Sequence, residues 1–249
     1  FNINFYPNSY ELYDYDIIAN AVDIKYLQYS NSIYVLGDDL AVYDSYTMNF
    51  ITNIELSGNI NPIKIEFNPI NCYLYCLSEN KVWVIDPAIN LLISSFNLLD
   101  DAFDLQICPV NGDVYISYVN GFYVDIYLYN SFTSYNFRVS NIYGTTGKFA
   151  YNDFENSMYV TTDADYVIKI NCSTRQEDDV YNVLGLLPTI VYESAQESIY
   201  VYGSSNLYRI NDGILSTTTF TSQSFNDIIY NPLTSEMNIS DSSSQFTRY

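Results

Sequence analysis

Six positions of the chain, Asp23, Lys64, Asp104, Lys148, Thr189 and Asp227, carry polar or charged side chains at intervals near 40 residues. Each is followed by an apolar residue, in order Ile24, Ile65, Leu105, Phe149, Ile190 and Ile228. Brought around one axis, two lysines set between aspartates have two uses. They can neutralise each other as a salt-linked plug, or they can hold a polar ligand or ion between them. A second group of carboxylates, Asp38, Asp39, Glu79, Asp100, Asp101, Asp163, Asp165 and Asp241, falls by spacing in turns. An acidic rim of this kind raises the question of calcium, which takes about six to eight oxygen ligands. No loop has the alternating aspartates and central glycine that wrap a single ion, so solvated turns and no cofactor are the expectation.

Other chemistries are removed by composition. The chain has no histidine, which excludes Ser-His-Asp and Cys-His catalysis and takes away the usual zinc partners. No glycine-rich phosphate loop follows a strand and opens a helix. Four cysteines, Cys72, Cys76, Cys108 and Cys172, lie at unrelated places in the pattern described below, and buried free thiols are expected. Cys72 and Cys76 share a strand and are too far apart to bridge, so any disulfide must cross strands or sheets. No residue is assigned a catalytic role.

The elements that must position these residues are short strands. From Asn61 to Leu98 four apolar runs, IKIEF, CYLYCL, KVWVID and LLISSFNL, are separated by the turn signals Asn68-Pro69-Ile70-Asn71, Ser78-Glu79-Asn80 and Pro87-Ala88-Ile89-Asn90. This reads as a four-stranded antiparallel sheet, strands a to d. Strands b and c are apolar on both faces, so the sheet needs a neighbour on each side. The same pattern recurs, anchored on a strand b tyrosine: Tyr34, Tyr75, Tyr115, Tyr159 and Tyr200, with Asn238 in the sixth place. The spacings are 41, 40, 44, 41 and 38 residues. Eight residues before each anchor stand Tyr26, Phe67, Ile107, Tyr151, Tyr192 and Tyr230, five of the six aromatic, which supports the register. A period near 40 with four strands per unit predicts an all-β fold, a β-propeller whose blades stack radially around a channel.

Asn68-Pro69, Asn71, Tyr75 and Val82-Trp83-Val84-Ile85-Asp86 resemble the YVTN-type repeat of YncE-like and surface-layer β-propellers. Cys108-Pro109-Val110-Asn111-Gly112-Asp113-Val114-Tyr115 and Asn231-Pro232 repeat parts of it. The resemblance implies architecture and names no catalytic residue. It also implies seven blades in the usual case, whereas six anchors are present. One domain over residues 1–249 is expected, with repeats near 23–56, 63–98, 103–139, 147–184, 188–221 and 225–249. Residues 1–18 then supply strands that complete the last blade; a seven-bladed ring or a piece of a larger propeller is the alternative.

Partners follow from charge and surface composition. A net charge of −20, from 29 acids and 9 bases, argues against a nucleic-acid backbone and against anionic lipid. No run of 18 apolar residues is present to insert in a membrane. Abundant Tyr and Asn give contact area and adaptable hydrogen bonds. The expected function is therefore a non-enzymatic interaction or structural module, extracellular at a cell surface or on a virus or phage particle, binding protein or glycan within a larger assembly. The alternative is a metal-dependent propeller enzyme, lactonase- or lyase-like, with carboxylate-bound calcium in its channel.

Overall fold

The computed structural model describes residues 21–57, 61–119, 123–128, 134–138, 145–203, 206–219, 225–231, 236–241 and 246–248; of residues 134–138 and of the last three segments the backbone alone is described. Every regular element among them is a strand. No described helix is long and apolar enough to cross a membrane. Five four-stranded antiparallel sheets and a final three-stranded one follow in chain order. Blade 1 comprises Asp23–Leu27, Ser32–Leu36, Leu40–Asp44 and Phe50–Ile54, and blade 2 comprises Pro62–Asn68, Tyr73–Ser78, Lys81–Asp86 and Leu91–Asn97. Blade 3 comprises Ala102–Ile107, Val114–Tyr118, Tyr123–Tyr127 and Ser134–Arg138, and blade 4 comprises Thr146–Asn152, Ser157–Thr162, Tyr166–Asn171 and Gln176–Asn182. Blade 5 comprises Leu186–Glu193, Ser198–Gly203, Asn206–Asn211 and Ile214–Thr219; the last sheet is Phe225–Asn231, Glu236–Asp241 and Phe246–Arg248. The strands assigned to residues 1–18 lie outside the described residues.

Alternation along each strand divides every blade into two apolar faces, and successive blades bury unlike faces against each other. The face of blade 1 carrying Tyr34, Leu36, Leu40 and Val42 packs on the face of blade 2 carrying Ile65, Leu74, Cys76, Trp83 and Ile85. Tyr75, Leu77, Val82 and Val84, on the other side of blade 2, meet Leu105, Ile107, Val114 and Ile116 of blade 3. Tyr115, Val124 and Ile126 meet Phe149, Met158, Val160 and Ile168 of blade 4. Tyr159, Val167 and Tyr181 then meet Ile190, Ile199, Val201 and Tyr208 of blade 5. Each anchor tyrosine thus sits on the forward face of its blade. The rearward face of blade 1 has no described blade before it, and there Ile24 is 47% exposed where its repeat equivalent Ile65 is 1% exposed.

The hairpins are closed by a recurring left-handed residue three places before each anchor: Asn31, Cys72, Asn156 and Glu197 have φ of 47°, 60°, 50° and 53°, and Gly112 fills the same place at 76°. A turn followed by one left-handed residue keeps the strand twist continuous through a short loop. Cys72 is exposed on this turn, which corrects the expectation that all four thiols are buried. Its side chain points off a left-handed corner instead of into a sheet.

Burial of so many phenols has a consequence for pH. Loss of solvation raises Tyr34, Tyr75, Tyr115, Tyr118 and Tyr159 above the ordinary tyrosine range. As the pH rises past about 10 the unfolded chain gives up these protons first and binds fewer than the native state, so stability falls. Below that value the contribution is fully present. The protein should lose structure cooperatively above about pH 10, each such phenol contributing about 1.4 kcal/mol per pH unit. Phenolate absorbance and circular dichroism should change together; phenols that titrate normally before structure is lost would contradict this packing.

Candidate functional site

The a strands of successive blades lie beside one another, so they are innermost. An innermost strand has one edge without a ladder partner, and its N–H groups need acceptors. Asp23 and Asp104 meet that need in the same way. Asp23 Oδ2 accepts the backbone N–H of Ile65, one blade forward, at 2.9 Å, while its Oδ1 accepts from Ile24 at 2.8 Å. Asp104 Oδ2 accepts the N–H of Phe149, again one blade forward, at 2.9 Å. These aspartates clasp blade 1 to blade 2 and blade 3 to blade 4.

Lys64 joins the clasps. Its Nζ donates to Asp104 Oδ1 at 3.0 Å and to Gln106 Oε1 at 3.5 Å, and lies 3.8 Å from Glu66 Oε1. The other Glu66 oxygen binds Lys25 of blade 1. Lys25, Glu66, Lys64 and Asp104 therefore alternate in sign across blades 1 to 3. Burial alone would lower the Lys64 ammonium, but Asp104, Glu66 and the more distant Asp23 outweigh it and hold it above the ordinary lysine range. Lys25 and Glu66, two residues beyond Asp23 and Lys64 on the same strand faces, were not singled out from the sequence. The period-two alternation of a strand would have found them.

The remaining ring positions behave differently. Lys148 is exposed, and no carboxylate among the described residues pairs with it, contrary to the expectation of alternating pairs. The pairing with strand b is irregular between Thr146 and Phe149, as it is between Pro62 and Lys64 in blade 2, and there the Lys148 N–H donates to Thr161 Oγ1 at 2.9 Å. A Cβ at Gly147 would come within 2.5 Å of that same oxygen, so a larger residue there would displace Thr161. Thr189 is buried and uncharged. Asp227 lies on strand a of the last sheet, where the backbone alone is described.

The acidic rim is dispersed over blades, and its members serve their own turns. Asp39 accepts from Asn53 Nδ2 at 2.9 Å and from the Leu56 N–H at 3.0 Å. Asp163 accepts the Thr145 N–H at 2.6 Å, and Glu79 accepts from Asn61 Nδ2 at 2.8 Å. Asp38, Asp100 and Asp101 are exposed, and Asp165 is half-buried at a left-handed corner with φ 65°. Among the described residues no three His, Cys, Asp or Glu side chains converge as a metal site would require.

The opposite end of the blades was not singled out from the sequence. There the a–b and c–d turns come together, as in the bond from Ser45 N–H to Asn31 O at 2.8 Å. These turns expose Tyr29, Met48, Ile70, Ile89, Val110 and Phe154, with Tyr46 88% exposed. Among the described residues the other end exposes fewer large apolar groups, Val22, Leu99, Val119 and Leu184. Both ends carry carboxylates, Asp153, Glu197 and Asp212 being exposed at the turn end, and the two ends differ in their apolar side chains.

No family model and no curated protein matches the sequence. Solved structures do. The β-propeller domain of Cps50 (Swd1) from Myceliophteria thermophila aligns with a TM-score of 0.75 at 10% identity, covering 92% of this chain and 86% of that one. A catalytically inactive variant of virginiamycin B lyase from Staphylococcus aureus, crystallised with quinupristin, aligns with a TM-score of 0.72 at 10% identity, covering 92% and 84%. A chain of the mitotic checkpoint complex aligns with a TM-score of 0.74 at 11% identity, covering 91% and 76%. The fold is an all-β propeller of four-stranded antiparallel blades.

Proposed function

We propose that this propeller is a non-enzymatic binding module of the YVTN-like type. It engages a protein or glycan through the end formed by the a–b and c–d turns, and it is displayed at a cell surface or on a particle as part of a larger assembly. The observation that carries this reading is the row of exposed apolar side chains at that end, from Tyr29 and Tyr46 in blade 1 to Phe154 in blade 4. Apolar and aromatic groups standing clear of a rigid scaffold are the usual anchors of a protein interface. Of the structural neighbours, Swd1 is a β-propeller domain and another is a chain of the mitotic checkpoint complex, solved within a protein assembly, which accords with this fold acting through partners.

The lyase-like alternative has weaker support. The inactive lyase variant carries alanine in place of a histidine, and this chain has no histidine at all. Asp23, Lys64 and Asp104, at the described channel mouth, are engaged in holding blades together.

Paired substitutions test the proposal. Replacing Ile70 and Phe154 together with Asp should weaken capture of a crosslinked surface partner, or binding on a glycan array, by about tenfold or more. The melting temperature should stay within a few degrees, because both side chains are exposed. Leu99→Asp with Leu184→Asp, at the other end, should leave binding unchanged. Loss of binding in the second pair but not in the first would overturn the assignment of the face.

A further inference from the structure

Beneath the apolar turn end, two thiols meet across the boundary of blades 3 and 4. In blades 2, 4 and 5 the residue seven places before the anchor caps the a–b turn: Asn68 Oδ1 accepts the Ile70 N–H at 3.0 Å. Asn152 Oδ1 accepts from Phe154 and Glu155, and Glu193 from Ala195 and Gln196. In blade 3 this capping residue is Cys108. Its sulfur receives the turn N–H groups of Val110 and Asn111 in place of an oxygen. It also receives a hydrogen bond from the thiol of Cys172, which begins the c–d turn of blade 4.

The backbones around the pair are tied to each other. Asn111 Nδ2 donates to Cys172 O at 2.9 Å, and the Cys172 N–H donates to Asn156 O at 3.1 Å. The Cys108 thiol donates to Asn156 Oδ1 at 3.6 Å. Tyr115 closes the site beside Cys172. Both cysteines are fully buried, yet the turn residues Pro109, Val110, Ser173 and Thr174 that cover them are exposed. The bond from Cys172 and the turn N–H groups favour the thiolate at Cys108 against the cost of burial, while Cys172, as donor, is raised.

We propose that Cys108 and Cys172 form a redox site that closes to a disulfide between blades 3 and 4 on reaction with a small-molecule disulfide. The Cys108 thiolate attacks one sulfur of that molecule, breaks its S–S bond and releases one thiolate. The released thiolate takes the proton of Cys172. The Cys172 sulfur then attacks Cys108 Sγ in the mixed disulfide and expels the second half as a thiolate, which takes up the proton first lost from Cys108. Two protein thiols are oxidised by two electrons, and one disulfide is reduced to two thiols. The resulting link joins blades that otherwise hold together by packing and hydrogen bonds, and it closes a long loop in the unfolded chain.

The test uses the folded full chain with Cys72→Ser, which removes the exposed thiol. The protein is equilibrated with mixtures of reduced and oxidised glutathione, quenched in acid, alkylated after unfolding and mapped by peptide mass spectrometry. The expected product is a Cys108–Cys172 peptide pair, lighter by two hydrogen atoms, with Cys76 alkylated and a melting temperature raised by about 10 °C. A reducing dithiol should reverse it. Both thiols alkylated at the most oxidising ratio would overturn the proposal. So would glutathione retained on Cys108, or a bond that includes Cys76. The mapping needs no variant at either cysteine, so a folding defect in Cys108→Ser or Cys172→Ser cannot obscure the answer.

Discussion

Trp83→Ala should lower the unfolding free energy by about 3–5 kcal/mol, the cost of deleting a large aromatic from a packed core and leaving part of its volume empty. The side chain is 1% exposed and belongs to the blade 1 and blade 2 interface, among Leu36, Leu40, Val42 and Ile85. It is flanked within its sheet by Cys76 and Ser95. Collapse cannot refill the space, because both blades are fixed by their own ladders. Trp83→Phe should cost much less, about 1–2 kcal/mol, since it keeps most of the apolar volume and removes an indole N–H that is buried without a partner. Urea unfolding of the three proteins checks the order. A Trp83→Ala protein as stable as the parent would mean that this blade interface is not packed as described.

Asp104→Ala should cost a similar amount, about 3–5 kcal/mol, for a different reason. The carboxylate is 5% exposed and serves two groups at once, the Lys64 ammonium and the Phe149 N–H. Truncation leaves a partly buried cation and an orphaned backbone donor. Asp104→Asn keeps an acceptor for Phe149 and loses only the ion pair, so its cost should be about half as large. Lys64→Met should expose the same coupling from the other side. In a double-mutant cycle with Asp104→Asn, the two changes should fall short of additivity by about 1–3 kcal/mol. Additive effects would place Lys64 outside the clasp. Because Lys64 is held above the ordinary lysine range, its contribution is present at neutral pH and disappears only as the pH climbs through its raised value.

The parts of this structure that were legible in the sequence are those set by period. The spacing of Tyr34, Tyr75, Tyr115, Tyr159 and Tyr200 reports four strands per unit, and the strand alternation puts Asp23, Lys64 and Asp104 on one face and Ile65 and Leu105 on the other. The function of the aspartates was less legible. A free strand edge presents backbone N–H groups, and no side-chain pattern encodes where they point, so Asp23 and Asp104 read as ion-pair partners when they are first of all backbone acceptors. Lys148 holds the same register as Lys64, but whether a lysine finds a carboxylate depends on the residues of the neighbouring blades, which the repeat period does not report. The meeting of Cys108 and Cys172 was hidden because they occupy different offsets, one in an a–b turn and one in a c–d turn. Only the stagger of one blade on the next brings those turns together. The apolar end was hidden similarly, being assembled from turns of different blades.

The proposal that unites these observations is that Asp23, Lys64 and Asp104 serve to hold the blades together and not to bind a metal. Its most direct test is the melting temperature of the purified native protein with and without a calcium chelator. The account predicts the same temperature in both conditions, because Asp23, Lys64 and Asp104 satisfy one another and the neighbouring backbone without an ion. A fall on chelation that is restored by added calcium would contradict it.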